Sequence, residues 1–366
     1  MNQSISRKRL SVRTIIFLGG AIFMLAPALF AGTLYTGALQ GHAEKLLLEK
    51  LASRGELGAD LLARYLHERW RQVDALARSF PGVPLNDVQR NIDLLGDLDK
   101  QYSWLGIANI KGDVTVALNG LLLGQSVAGR PWFKRGLIEP TAVDVHEAQL
   151  LSKLLPPTSD PYRFIDLAAP IRTPDGAVSG VVGAHVDWRG VVENLKRLEA
   201  PGIDVVLLSR EQTVLYGPPA LLDKKLSVGS AEGANRSAQQ LLTERWPDGN
   251  DYISVVVPTV SYRDLPSFGW SLIIRQNRYD AMEETRNLAK SFWIYLGSGA
   301  LVALALFLIV ATWITTPLCR LSSSAEAMAG TAITSRPPYS ETRYREAARL
   351  SDALVRIQAK LRQLEE

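Results

Sequence analysis

Two long uncharged apolar stretches bracket a long region of mixed polarity. After Arg13 no charge occurs until Glu44, and residues 15–35 are almost wholly apolar. From Ser291 to Cys319 there is again no charge, and residues 292–314 are apolar. A membrane helix needs about 20 apolar residues to cross ~30 Å of hydrocarbon. Both stretches reach that length. They predict a chain that crosses, spends most of its length outside the bilayer, and crosses back.

The region between them changes period along its length. Leu62, Leu66, Trp70, Val73, Ala77 and Phe80 recur at spacings of three and four, which places one apolar stripe on a helix over 43–80. At 1.5 Å per residue such a helix reaches about 57 Å. It predicts a stalk, whose stripe forms a dimer seam or packs on its own domain. Gly55 and Gly58 weaken it locally.

Strand signals follow. Residues 104–110 and 114–118 flank Lys111-Gly112-Asp113, and residues 164–171 and 177–186 flank Pro174-Asp175-Gly176. Each set reads as a hairpin. After Pro201-Gly202 a shorter set appears at 203–209, 213–216, 252–262 and 270–276. The fold class expected is α+β, with two stacked antiparallel-sheet units on the long stalk helix.

Residues 278–291 have a helical pattern leading into the second apolar stretch. Pro317 then predicts a break at the membrane edge. Leu318, Leu321, Ala325 and Met328 are spaced for one helix that stops at Gly330. Beyond Pro337-Pro338, Leu350, Leu354, Ile357, Leu361 and Leu364 repeat at four and three. This is a pair of short heptad-patterned helices joined by a loop. Leu364 is still in register near the last residue, which predicts a fragment lacking its output domain, or a stand-alone relay.

Charge sets orientation. Arg7, Lys8, Arg9 and Arg13 precede the first span without an acidic residue among them, which places that end in the cytoplasm. The large loop is then extracytoplasmic and the tail is cytoplasmic, in agreement with Arg320 after the second span. A cleaved signal peptide is the alternative, with Ala26-Pro27-Ala28 as its small-residue triplet. Against it, the apolar run continues through Phe30 to Tyr35.

Length and composition add bounds. At 366 residues two or three domains fit. A mean hydropathy of +0.03 averages apolar spans with a polar remainder. The pI of about 9.1 reflects cations partly set at membrane edges, and no basic run carries interleaved aromatics, so nucleic acid is not an expected partner. The one cysteine, Cys319, leaves the outer region without disulfides. The four histidines, His42, His67, His146 and His185, show no metal-ligand spacing. No phosphate-binding loop or nucleophile elbow occurs, so neither a cofactor nor a metal nor a catalytic group is expected.

This order of parts resembles a bacterial transmembrane sensor of the double Cache type with a HAMP relay. Four local matches carry the resemblance: the hairpin at 107–116, Gly129-Arg130-Pro131-Trp132-Phe133, the strands at 168–171 and 180–187 with Asp175-Gly176 between them, and Phe268-Gly269-Trp270-Ser271-Leu272-Ile273. Of these, the Arg-x-Trp-aromatic segment is the most specific. On the inner side, Pro317-Leu318, Gly330 and the spacing from Glu346 to Leu350 look like HAMP landmarks. The segment Val143-Asp144-Val145-His146-Glu147-Ala148 is similar to Cache inputs of diguanylate cyclases. Two positions depart from amino-acid-sensing Cache pockets. Gln125 stands where those have a Tyr, and Phe133 replaces a second Tyr. The stretch from Arg130 to Asp187 is also longer.

The resemblance implies two PAS-like units. Its boundaries are a cytoplasmic start at 1–14, a first span at 15–38, and stalk plus membrane-distal unit at 39–198. A membrane-proximal unit at 199–278, a helix at 279–291, a second span at 292–316 and HAMP at 317–366 follow. It implies a multi-pass protein of the bacterial inner membrane, a homodimer, with a small-molecule ligand such as an amino acid, amine or organic acid. Histidine kinase and chemoreceptor outputs are the alternatives to a cyclase.

The implied pocket has named chemistry. Arg130 offers a planar fork of donors for a carboxylate or phosphate. Trp132 and Phe133 supply apolar walls, and Asp187, ending the strand at 181–186, receives an amine. Asp144 and His146, two apart, face one side if they lie on a regular strand. Tyr102 and Trp104, at the head of the first strand, complete the set. The implied relay comprises Pro317, Leu318, Leu321, Met328, Glu346, Leu350, Leu354 and Ile357.

Overall fold

The computed structural model describes residues 10–147, 151, 154–155, 161–234, 240–329 and 340–365. Arg7, Lys8, Arg9, Ala148, Gly330, Pro337 and Pro338, and the side chains of Leu361 and Leu364, lie outside the described residues. The chain divides into two compact units. One is His42–Glu283, and the other combines Met1–Gly41 with Glu284–Glu366.

The first helix, α1 (Val12–Ser79), is unbroken. In the His42–Glu283 unit it is followed by α2 (Leu85–Leu98), β1 (Tyr102–Asn109), β2 (Val114–Ala117), α3 (Pro131–Gly136), β3 (Thr141–Glu147), β4 (Arg163–Arg172), β5 (Val178–Asp187) and α4 (Trp188–Lys196). Then come β6 (Ile203–Leu208), β7 (Val214–Tyr216), α5 (Gly229–Ala234), β8 (Gln240–Arg245), β9 (Asp251–Val257), β10 (Ser271–Asn277) and α6 (Arg278–Ala281). The strands form two five-stranded antiparallel sheets, ordered β2-β1-β5-β4-β3 and β7-β6-β10-β9-β8. Both hairpin turns read from the sequence are present, with Gly112 and Gly176 each at φ +89°.

The stripe Leu62, Leu66, Trp70, Val73, Ala77 and Phe80 is buried in one core with residues of both sheets. It therefore packs on its own unit. At Gly58 α1 packs closely, since a Cβ there would collide with the Leu198 side chain. The opposite face of each sheet carries a smaller core of its own, built round Trp104, Trp132 and Phe164 in one sheet and Trp246 and Val256 in the other.

Two expectations need correction here. The strand expected at 252–262 ends at Val257, because Pro258 has no N–H for the ladder. The second sheet also has an edge strand, β8, whose polar sequence gave no apolar run to detect.

In the other unit, α7 (Glu283–Ala329) and α1 each contain a segment long and apolar enough to cross a membrane. A Cβ on Gly20 would strike the Phe307 ring, and Tyr35 lies 4.6 Å from Phe292, ring centre to ring centre. The break expected at Pro317 does not occur: α7 runs through it. Thr315 and Thr316 hydroxyls donate to the carbonyls of Ala311 and Thr312 at 2.7 and 2.6 Å, adding side-chain bonds to the turn before the proline. Helix α8 (Arg345–Glu365) follows, and the Tyr344 hydroxyl donates to the Ile314 carbonyl at 2.9 Å.

Among the relay residues, Leu321 and Pro317 are buried, Met328 is half-buried and Leu318 is exposed. On α8 the buried positions are Ala347, Ser351 and Gln358, while Leu350 and Ile357 are exposed, Leu354 is half-buried and Glu346 is exposed. Leu350 and Ile357 of the heptad stripe are thus not covered by the described residues of their own chain.

Candidate ligand-binding site

On the face of the first sheet away from α1, a cavity of about 360 Å³ opens beside α3. Pro131 occupies the first position of α3, where its missing N–H costs nothing and its fixed φ starts the helix. That start places Arg130 just outside the helix and Trp132 inside it. Trp132 is buried over β5 at Gly183, where a Cβ would collide with the indole. Glycine at this strand position is therefore what lets the ring lie flat on the sheet.

Arg130, Trp132 and His146 line the cavity, together with Gln125, Phe164, Asp166 and His185. Among the described residues the Arg130 guanidinium has no carboxylate partner, and the buried Trp132 indole N–H has no acceptor. A buried donor without a partner costs free energy, so the Trp132 indole is poised for an acceptor, while the half-buried Arg130 presents its fork of donors at the cavity.

Part of the cavity lining is ionisable. Asp166 is 2% exposed, in the middle of the apolar strand β4. His185 Nδ1 lies 2.5 Å from its Oδ1, and His146 Nε2 lies 3.6 Å from its Oδ2. Asp166 and His185 are direct cross-strand partners, and His146 pairs with Phe164 one step along. Three adjacent strands thus each present one ionisable group to the same face.

Other expected pocket residues lie elsewhere. Trp104 and Phe133 stand behind Trp132, at ring distances of 5.7 and 6.0 Å, and support it. The Trp104 indole N–H is used on the Leu121 carbonyl at 2.9 Å. Tyr102 points to the α1 side and donates to Gln72 Oε1 at 2.6 Å, and burial pushes its hydroxyl pKa up. Asp187 caps α4 by accepting the Arg189 N–H at 2.9 Å and pairs with the Arg189 guanidinium at 2.5 Å.

Asp144 and His146 do not share a side, because β3 is bulged between Val143 and His146. The extra residue resets the alternation. His146 turns to the cavity, while Asp144 Oδ1 accepts the Trp270 indole N–H at 2.7 Å. Burial holds the Asp144 carboxyl above the usual range, against the pull of the Trp270 and Val145 donors.

Sequence reasoning missed Asp166 and gave His185 no role. The available signal was a lone carboxylate within Phe164-Ile165-Asp166-Leu167, since a charge inside an apolar strand needs a partner. The partners sit on neighbouring strands, so no sequence spacing exposes them.

The chain carries the fold of known sensor domains, the ligand-binding domains of chemoreceptors and the extracellular domain of a histidine kinase, as the resemblance implied. It is similar to the ligand-binding domain of the Pseudomonas aeruginosa PAO1 amino acid chemoreceptor PctB, solved with L-Arg, at 19% identity over 64% of this chain and 97% of that one, TM-score 0.50. It is similar to the extracellular domain of rpHK1S-Z16, assigned as a histidine kinase, at 15% identity over 64% and 95%, TM-score 0.51. The Campylobacter jejuni chemoreceptor Tlp3 domain, solved with 4-methylisoleucine, matches at 11% identity over 65% and 94%, TM-score 0.50. No family model matches the sequence, and no curated protein does. At these identities the likeness is one of fold.

Proposed function

We propose that this chain is the sensory part of a transmembrane receptor, in which a small solute binds the cavity beside α3. The observation that carries this reading is Arg130: a guanidinium on a cavity wall with no carboxylate partner among the described residues. A planar fork of donors recognises a carboxylate or phosphate in two parallel bonds. The cavity volume lies in the range of small-molecule pockets, and Trp132 and Phe164 supply the apolar wall such pockets use.

The likenesses support the same class, since PctB and Tlp3 domains were solved with L-Arg and 4-methylisoleucine. A solute bearing a carboxylate is the class we assign here. Gln125, which lines the cavity, replaces the aromatic of amino-acid pockets and leaves room for a larger or more polar solute.

In this reading the apolar segments of α1 and α7 cross the bacterial inner membrane and place the sheets outside the cytoplasm. The exposed Leu350 and Ile357 of α8 would be covered by a second copy, as in a HAMP relay. Solute binding favours one of two dimer arrangements, to the extent that its affinity for them differs. Residues 317–366 pass that preference to a cytoplasmic output outside this sequence. We assign that output to cyclic-di-GMP synthesis on the segment Val143-Asp144-Val145-His146-Glu147. Histidine phosphorylation and chemotaxis are the alternatives, and the likenesses to a histidine-kinase domain and to chemoreceptor domains favour them. A ligand-free dimerisation scaffold gives no reason for an arginine on a cavity wall with no carboxylate partner among the described residues.

A thermal-shift screen of the full chain in detergent, against L-amino acids, amines, purines and organic acids, tests this. A solute that binds only the folded state raises the melting temperature. A carboxylate-bearing hit that fails with Arg130→Ala is the expected result. Hits confined to solutes without an anionic group would contradict the assignment.

A further inference from the structure

The cavity that Arg130 lines has a second group of side chains that organic-solute binding does not require. His146, Asp166 and His185 each offer one ligand atom, and all three atoms lie within 4.8 Å of one another. We propose that these residues bind a first-row transition-metal dication, of which zinc is the representative, in the wall of the sensory cavity. The proposal rests on the reading of that cavity as the binding site and specifies what one side of it holds.

The donor set decides the class of ion. Two imidazoles and one carboxylate suit zinc, cobalt and nickel, whereas calcium and magnesium take oxygen ligands. Three protein ligands with an open fourth position is the arrangement of zinc sites that also take an exchangeable ligand. Here the open position faces the cavity, because all three residues line it. A donor atom of a solute held by Arg130 would complete the coordination.

The geometry is close to what an ion needs. Ligand atoms about 2.0–2.1 Å from zinc lie roughly 3.3 Å apart around a tetrahedron. His146 Nε2 and Asp166 Oδ2 are already at 3.6 Å. The His185–Asp166 contact, 2.5 Å to the other carboxylate oxygen, must open, and the two imidazoles lie with their ligand atoms within 4.8 Å of each other. That contact holds one proton between nitrogen and oxygen. For His185 to bind an ion through Nδ1 that proton moves to Nε2, so no proton is lost and the site gains the two positive charges of the ion. The three residues stand on adjacent hydrogen-bonded strands, which hold their backbones in place. Without an ion, a carboxylate 2% exposed has, among the described residues, the two imidazoles as its polar side-chain partners. Burial of a carboxylate with so few partners is costly, and a dication offsets it.

The test uses the full chain in detergent, stripped with a chelator and titrated with Co²⁺, read by visible d–d absorption and by bound metal per chain. The expected result is one equivalent of Co²⁺ with a four-coordinate spectrum, displaced by Zn²⁺ and not by Mg²⁺ or Ca²⁺. His146→Ala, at an exposed position, and His185→Gln lose the binding, while His42→Ala keeps it. An absence of stoichiometric binding, or binding that survives both substitutions, overturns the metal site. If the carboxylate screen still gives hits lost in Arg130→Ala, only the metal site fails. If neither metal nor solute binds, the sensory reading of the cavity fails with it.

Discussion

Asp144 of β3 and Trp270, next to the start of β10, are joined by an indole hydrogen bond of 2.7 Å, which ties the cavity-bearing sheet to the second sheet. The Trp270 ring also stacks on Phe268 at 4.5 Å and meets Trp188 of α4 edge-on at 5.7 Å. His146, two residues beyond Asp144, is on the cavity wall. One bulged strand therefore carries the cavity on one side and the contact with the second sheet on the other. A solute that shifts His146 acts on the strand that positions Asp144.

Trp270→Phe removes the donor and leaves a buried carboxylate with fewer partners. The expected loss is about 1–3 kcal/mol of unfolding free energy, read by chemical denaturation. Solute binding at the cavity should survive. Equal stability of the variant and the parent would show that the bond contributes nothing.

Asp144 also predicts a pH dependence. Its folded carboxyl pKa is raised by burial. A raised carboxyl pKa means that the folded state binds the proton more tightly than the unfolded chain. The favourable contribution is therefore present at acid pH, below the unfolded value, and is lost as pH rises through the folded value. Asp144→Asn keeps an oxygen for the Trp270 N–H and removes the charge. At neutral pH the variant should be at least as stable as the parent, with the difference closing as pH falls. Melting temperatures across that range check the sign, and a gain that grows toward acid pH would contradict it.

Gly183 makes room for the Trp132 ring, which lines the cavity. Gly183→Ala puts a methyl into the Trp132 indole, and overpacking of this kind costs typically about 1–3 kcal/mol. Gly129→Ala, with nothing within 4 Å of the added carbon and no positive φ, should be near neutral. Parallel melting curves of the two variants make the comparison.

Asp187 separates two roles by experiment. As the cap of α4, its change to Ala should cost about 0.5–2 kcal/mol of stability. Solute affinity should change little, since Asp187 is engaged with Arg189 outside the cavity lining. A large loss of affinity at unchanged stability would restore it to the site.

Much of the fold was legible because its signals are local. The apolar spans, the α1 stripe and the two Gly-containing hairpin turns need only neighbours in sequence. The Arg130–Trp132 part of the site was legible for the same reason, as proline, arginine and tryptophan sit together at the start of α3. Asp166 and His185 were not, because strand register brings them together and sequence does not print register. The faces of Asp144 and His146 were misread because a bulge breaks the two-residue period. Pro317 misled for a different reason: a proline removes one hydrogen bond, and neighbouring threonine side chains can hold the turn.

The central claim is that Arg130 receives the anionic group of a solute in the cavity beside α3. Calorimetric titration of the full chain with a carboxylate-bearing hit, for the parent and for Arg130→Ala, tests it most directly. A charge-assisted hydrogen bond is worth about 1.5–3 kcal/mol, so affinity should fall roughly ten- to hundredfold in the variant, with its melting temperature nearly unchanged. Unchanged affinity in a folded Arg130→Ala would contradict the account and move the binding site away from this cavity wall.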